Sequence, residues 1–322
     1  MEKIYPYAVS KIKAKEVNML TNQNFEALAS EKGLDRIVSV MIEKGYDFEE
    51  ITRKEEFEKV LKKEEEKLYS LVRELIENED ISKIFLSKNN YHNVKLILKS
   101  QIQKKDYREN LNYGGTIDVK NLITIMENEK YENLEEDMRN SILYAKNQYE
   151  KLKNPFVIDC ILDKASFVEM KNLALKTENE FLIRYVEKLI DITNIKTFFR
   201  IRKMYKDAKI LSIAFIDGGS LSFSNFKNNL NEDAQNLKNK FAGFSDVIEK
   251  AVYNYENLDI YCDNYIMEYM KEAKLKALTI EPIIAYIYAK ETEIKNIRII
   301  FTGKLNNINS EKIKERLREA YV

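Results

Sequence analysis

An all-α fold built from three similar helical domains is what this sequence predicts, and three features carry the prediction. The chain has 322 residues but only 3 Pro and 8 Gly, too few turn residues for a many-stranded protein. Apolar residues recur at helical spacing through long charged stretches. A short signature also returns at an even interval: Asn93-Val94-Lys95, Asn194-Ile195-Lys196 and Asn296-Ile297-Arg298, 101 and 102 residues apart. Each copy opens the same pattern, with apolar residues one, four and five places after the Asn. These are Val94, Ile97 and Leu98, then Ile195, Phe198 and Phe199, then Ile297, Ile300 and Phe301. Such steps lie on one buried helical stripe. A period near a hundred residues is too long for a solenoid repeat and suits a triplicated domain. Composition alone yields roughly one such tripeptide, so the even spacing and shared continuation are what set the three copies apart.

The elements follow in chain order. Phe57 to Ile76 carries Val60, Leu61, Leu68, Leu71, Val72 and Leu75 beside a charged face. Its run Lys62-Lys63-Glu64-Glu65-Glu66-Lys67 reads as solvated, with i,i+4 ion pairs. Asn154-Pro155 reads as a helix start, Asn capping and Pro at the first helical position. Long amphipathic helices then run from Phe156 to Lys176 and from Glu180 to Lys203. Glu281-Pro282 starts another towards Phe301, and Ser310 to Tyr321 reads as a final charged helix. Gly114-Gly115-Thr116-Ile117 corresponds to Gly218-Gly219-Ser220-Leu221, each some twenty residues after its Asn signature. Leu20-Thr21 begins a comparable stretch without the glycines. In each, glycine permits a tight reversal and the hydroxyl residue is a cap for the next helix. A phosphate-cradling loop is the alternative, but neither site ends in Gly-Lys-Ser/Thr or follows a strand.

These markers divide the chain into units 1–112, 113–215 and 216–322, with no Ser/Gly-rich linker between them. Residues 1–20, with their basic Lys11-Ile12-Lys13-Ala14-Lys15, resemble the connectors that precede the other units. If the units close into a ring, this segment completes the last junction and the two termini lie near each other.

Composition narrows the function. Lys+Arg and Asp+Glu balance at 53 each, leaving no basic excess to coat a nucleic acid. The opening Met1-Glu2-Lys3-Ile4-Tyr5-Pro6 has no signal-peptide core. The longest apolar runs, Ile283 to Ala289 and Ile213 to Ile216, are far short of a membrane span. Cys160 and Cys262 read as reduced, buried thiols. His92 has no Cys or Asp at ligand spacing and reads as a hydrogen-bonded helix residue, so no metal site is expected. Asp217, before Gly218-Gly219, is the most suggestive single acid, yet a turn role explains it. No catalytic or cofactor-binding residue is predicted, and the Asn and Lys/Arg of the signature are structural landmarks within each unit. Three similar units around an axis make a funnel or collar that can hold a central shaft. The alternative is a soluble all-helical adaptor.

The ends of the sequence are more specific. Glu281-Pro282-Ile283-Ile284-Ala285-Tyr286, Lys290-Glu291-x-Glu293-Ile294-x-Asn296-Ile297-Arg298, Gly303-Lys304 and Glu315-Arg316-Leu317-Arg318-Glu319-Ala320-Tyr321-Val322 form one block. It resembles the C subunit of the archaeal and bacterial V-type ATP synthases, related to the d subunit of eukaryotic vacuolar ATPases. The opening Tyr5-Pro6-Tyr7-Ala8-Val9-Ser10-Lys11-Ile12-Lys13-Ala14 and Leu20-Thr21 are similar to that family's start, with Lys13 where its members usually carry Arg. The middle of the chain is divergent. The resemblance implies three helical domains in a pseudo-threefold funnel. It implies a noncatalytic rotor part on the cytoplasmic face of the membrane, joining the central-stalk shaft to the membrane rotor ring. It implies no cofactor and no nucleotide, metal or ion site. It does not say which residues touch ring or shaft; Lys11 to Lys15 are one option, internal packing the other.

Overall fold

The computed structural model describes residues 4–50 and 53–322; the opening Met1-Glu2-Lys3 lies outside the described residues. It is 74% helical, with no strand among the described residues, so the shortage of glycine and proline was a sound guide to fold class.

Two compact units are present. One takes the described part of Met1–Ile76 together with Glu256–Val322, the other Glu77–Tyr255. The first begins with α1 (Pro6–Glu16), α2 (Asn22–Ser30), α3 (Leu34–Glu43) and α4 (Phe57–Leu75). The second holds α5 (Glu79–Gln103), α6 (Val119–Glu127), α7 (Glu136–Leu152), α8 (Phe156–Lys176), α9 (Glu180–Met204), α10 (Ala208–Ala214), α11 (Phe223–Asn228) and α12 (Ser245–Tyr253). The chain then returns to the first unit as α13 (Leu258–Ala273), α14 (Glu281–Leu305) and α15 (Ser310–Lys314).

Helix starts follow local chemistry. The side-chain oxygens of Asn78 and Asn179 accept from Ile81 N and Leu182 N, capping α5 and α9. Thr21 and Asn24 form a reciprocal capping box on α2. At α8 the Asn154 side chain accepts from Phe156 N, and Pro155 already holds helical angles. Helix ends show the consequence of scarce glycine: Lys104, Lys153, Glu178 and Lys206 take left-handed φ near +50° where glycine is the easier residue.

α5, α9 and α14 are each 25 residues long, and each carries one copy of the signature. All nine apolar signature residues are buried. In the second unit, α5 packs on α8, which also contacts α7, α9 and α10. Val94, Leu98, Leu122, Met126, Ile142 and Val157 lie in that core. In the first unit α14 packs against α4, α13 and α1, and Phe301 stacks between Phe48 and Phe57 at ring distances of 5.0 and 5.1 Å.

Two expectations need correction. The Lys62–Lys67 run is not merely solvated, because α4 faces α14 on part of it. Glu64 is buried and bonds Lys67 Nζ at 2.7 Å, three residues away, while Glu65 meets Arg298 at 3.0 Å. The final helix stops at Lys314 instead of continuing to Tyr321. Beyond it three consecutive backbone N–H groups are taken by side chains. Arg318 N donates to Asn296 Oδ1, Glu319 N to Asn264 Oδ1 and Ala320 N to Asn22 Oδ1, at 2.9, 3.0 and 2.7 Å. An α-helix would need those donors for its own ladder.

Candidate functional site

The polar groups that recur in this molecule lie on the three long helices. Asn93, Asn194 and Asn296 are each at most 2% exposed. Each amide grips one backbone residue with both of its ends. Asn93 Nδ2 donates to Asn112 O at 2.7 Å and its Oδ1 accepts from Asn112 N at 2.8 Å. Asn194 does the same to Ile216, at 2.8 and 2.9 Å. Asn296 does the same to Arg318, at 2.8 and 2.9 Å. A primary amide presents a donor and an acceptor side by side, matching the N–H and C=O of one extended residue. A carboxylate has no such donor, which explains why the residue is Asn in all three copies.

One turn earlier stands a second polar residue that sequence reading missed. Asn90 accepts from Ile117 N at 3.1 Å and donates to Thr116 Oγ1 at 2.6 Å. Asp191 accepts from Ser220 N, Ser220 Oγ and Leu221 N, at 2.8, 2.7 and 3.0 Å. Glu293 accepts from Leu20 N and from Tyr46 OH, both at 2.7 Å, and from Lys290 Nζ at 2.8 Å. All three acceptors are nearly buried. The signal was available: an amide or acid three residues before each signature Asn sits on the same apolar stripe, where a polar residue needs a partner.

This geometry accounts for the paired glycines. A Cβ on Gly115 would lie 2.2 Å from Asn90 Oδ1, and one on Gly219 would lie 2.2 Å from Asp191 Oδ1. The short side chains of Asn90 and Asp191 require that close approach. The hydroxyl residues are therefore not the caps expected of them: Thr116 and Ser220 bond the long helices, while Asp118 and Ser222 stand at the starts of α6 and α11. Only Thr21 caps as foreseen. At Gly219 the Asp191 carboxylate already occupies the place an anion would take, which removes the phosphate-loop alternative there.

The charged member of each signature is less uniform. Lys95 pairs with Asp163 of α8 and Lys196 is half-buried on α9. Arg298 forks onto Glu58 and Glu65 of α4. Burial of Glu65 pushes its carboxyl up from the ordinary range, against the pull of Arg298. His92 hydrogen-bonds Asn110 O at 3.1 Å. Asp217 is exposed, with Lys164 at 3.5 Å. Cys160 and Cys262 are buried and form no disulfide among the described residues, and burial holds the Cys160 thiol well above its usual range. No group of three or more His, Cys, Asp or Glu with metal-site geometry occurs among the described residues.

A cleft of about 230 Å³ in the first unit is lined by Lys15, Asn18, Lys44, Lys67, Glu64 and Lys290 among others. Two of its four lysines are already engaged by acids. Lys67 belongs to Asp47 and Glu64, and Lys290 to Glu293.

These features define a class first: an all-helical protein whose recurring polar machinery joins chain to chain. The chain belongs to the ATP synthase (C/AC39) subunit family, whose model matches residues 8–316. It is thus a structural subunit of that complex and not itself catalytic, and the unrelated-adaptor alternative falls away. The chain is 23% identical to the C subunit of the V-type sodium ATPase of Enterococcus hirae, over 96% of this chain and 97% of that one. It is 22% identical to the C subunit of the A-type ATP synthase of Methanococcoides burtonii, over 97% and 94%. A third relative, the corresponding C subunit of the A-type ATP synthase of Methanobrevibacter smithii, is 29% identical over 65% of this chain and 56% of its own length. No helix among the described residues is long and apolar enough to cross a membrane.

Proposed function

We propose that this chain is the rotor coupler of a V-type ATP synthase, holding the central-stalk shaft on one side and the membrane rotor ring on the other. It works peripherally at the cytoplasmic face of the membrane, linking ATP synthesis or hydrolysis to proton or sodium transport. Its three similar helical units, 1–112, 113–215 and 216–322, stand around a pseudo-threefold axis as a funnel for the shaft. The observation that carries this reading is the family match over residues 8–316, to which the thrice-built amide clamp on three helices of equal length adds weight.

Energetics favour a stiff part in that position. One charge crossing 100 mV releases roughly 2.3 kcal/mol, so several ions act together for each ATP. A coupler that deformed between steps would dissipate the work. Close-packed helices with internally satisfied polar groups resist deformation.

Detergent-extracted membranes carrying a tagged copy test the reading. The chain should co-purify with a ring subunit and a shaft subunit, and membranes lacking it should hydrolyse ATP without moving ions. Recovery with neither partner would sink the proposal.

A further inference from the structure

Beyond the clamps, one surface of the first unit joins apolar tips to basic side chains. Between α13 and α14 the chain reads Lys274-Leu275-Lys276-Ala277-Leu278. Leu275 is 90% exposed and Leu278 44% exposed. Leu278 also holds a left-handed φ of +62°, a conformation that leucine adopts only at an energetic cost. The loop is fastened beside α1: Tyr5 N donates to Leu278 O at 2.6 Å, and Lys13 Nζ reaches Lys274 O at 3.4 Å. That contact brings Ile4, 64% exposed, next to Leu278. Lys276 is exposed and carries no ion pair among the described residues, while the Lys274 ammonium rests over the Tyr321 ring. The Leu275 side chain lies almost wholly in solvent, and close to half of Leu278 does.

We infer that this strip is a contact surface for an anionic lipid bilayer, with Leu275, Leu278 and Ile4 entering the headgroup boundary and Lys274 and Lys276 meeting lipid phosphates. Alternating basic and apolar side chains at an exposed turn suit an interface that is apolar inside and negative at its surface. Long lysine stems lie along the apolar boundary while their ammoniums stay at the headgroups. The ordinary solvated-loop alternative would place polar residues, or glycine, at the Leu275 and Leu278 positions. The inference goes beyond the coupler reading and does not depend on it.

Co-sedimentation of the full chain with vesicles tests it, using phosphatidylglycerol and phosphatidylcholine in equal parts against phosphatidylcholine alone. Binding is expected on the anionic vesicles and should weaken as salt is raised. Lys276→Glu should weaken it by about fivefold or more, from the contribution of one lysine near such a surface. Leu275→Asp should bring it to the level of neutral vesicles, and its exposure leaves the fold unaffected, which circular dichroism checks. No sedimentation with anionic vesicles at low salt overturns the inference, as does binding that both variants leave unchanged. A Leu275→Asp chain that loses a ring subunit from detergent extracts, where the wild type never binds vesicles, assigns the strip to a protein partner and overturns it too. Co-purification with ring and shaft is scored separately, so the coupler reading stands or falls on its own.

Discussion

The clamps of the second unit and the clamp of the first solve one problem with different means. In all three the signature asparagine grips a residue close ahead in the chain, 19 residues on for Asn93 and 22 for Asn194 and Asn296. The acceptor one turn earlier separates them. Asn90 and Asp191 hold segments 27 and 30 residues ahead, whereas Glu293 holds Leu20, 273 residues away. Where the chain runs on from one grip to the next, a short polar side chain and a glycine suffice. Where the second segment comes from the other end of the sequence, the helix carries a longer acid. The residue at the place of Gly115 and Gly219 is then Asn18, since the extra methylene of Glu293 removes the need for so close an approach. Additional pins accompany it: Tyr46 and Lys290 on Glu293, Asn22 and Asn264 on the tail, and Asp263 accepting from Lys295 and Arg318. Lost chain continuity is replaced by side-chain contacts, each of which must offset ordering entropy.

The largest effects should come from the signature asparagines. Asn194→Ala strands the buried N–H and C=O of Ile216, and Asn296→Ala those of Arg318, so each should lower stability by roughly 2–4 kcal/mol. Urea unfolding of the full chain measures this. The two should differ in one respect: Asn296→Ala leaves residues 318–320 pinned by Asn22, Asn264 and Asp263, whereas Asn194→Ala leaves its loop on Asp191 alone, so limited proteolysis should open the 216–221 loop first. Equal resistance in both would break the distinction drawn between the junctions.

Exchanging acid lengths sharpens it. Asp191→Glu pushes a methylene against Gly219 and should cost about 1–3 kcal/mol from overpacking. Glu293→Asp withdraws the carboxylate from Leu20 N and Tyr46 and should cost a similar amount through unmet donors. If Gly219→Ala were tolerated no better in Asp191→Glu than in the wild type, the length argument would be wrong.

A smaller, pH-dependent effect draws mostly on the first unit, with buried Tyr91 of the second raised in the same direction. Burial, then the Glu293 charge, raises the Tyr46 phenol well above its ordinary value of 10, and Tyr286 and Tyr321 are raised by burial as well. A proton held more tightly in the folded state gives stability that is complete below about pH 10 and is lost as pH rises further, because the unfolded chain releases that proton first. Stability should therefore fall steeply above pH 10. Tyr46→Phe should flatten the fall while costing some stability at neutral pH, from the lost bond to Glu293. An unchanged alkaline profile in Tyr46→Phe would remove Tyr46 from this account.

How much of this was legible follows from the kind of signal each part leaves. Helical periodicity is local, so the spans of α4, α8 and α9 were readable within a residue or so. The repeated Asn was visible because its identity is fixed by a two-ended amide. The acceptor before it was hidden because Asn, Asp and Glu all serve, and no identity repeats. The end of α15 was misread because its helical pattern is overridden by three asparagines, two of them far away in sequence. Thr116 and Ser220 misled for the same reason, a hydroxyl next to a turn being equally apt as a cap or as a partner for a distant helix.

The smallest effects should be at the charged signature position, and they too separate the units. Lys95 makes a single ion pair, with an Asp163 that is 41% exposed, so Lys95→Met should change stability by at most about 0.5–1 kcal/mol. Arg298 is different in kind. Its Nε meets both oxygens of Glu58 at 2.9 and 3.0 Å and its Nη2 meets Glu65 at 3.0 Å, joining α14 to α4 through two acids. A lysine keeps the charge but cannot present that planar fork. Arg298→Lys should therefore cost about 1 kcal/mol, more than full removal of the Lys95 charge. Most of that cost should survive 0.5 M salt, since Glu65 is only 24% exposed, whereas the Lys95→Met effect should vanish there. Chemical denaturation of both variants at low and high salt decides it; equal salt sensitivity would mean that the two positions do the same work despite their different partners.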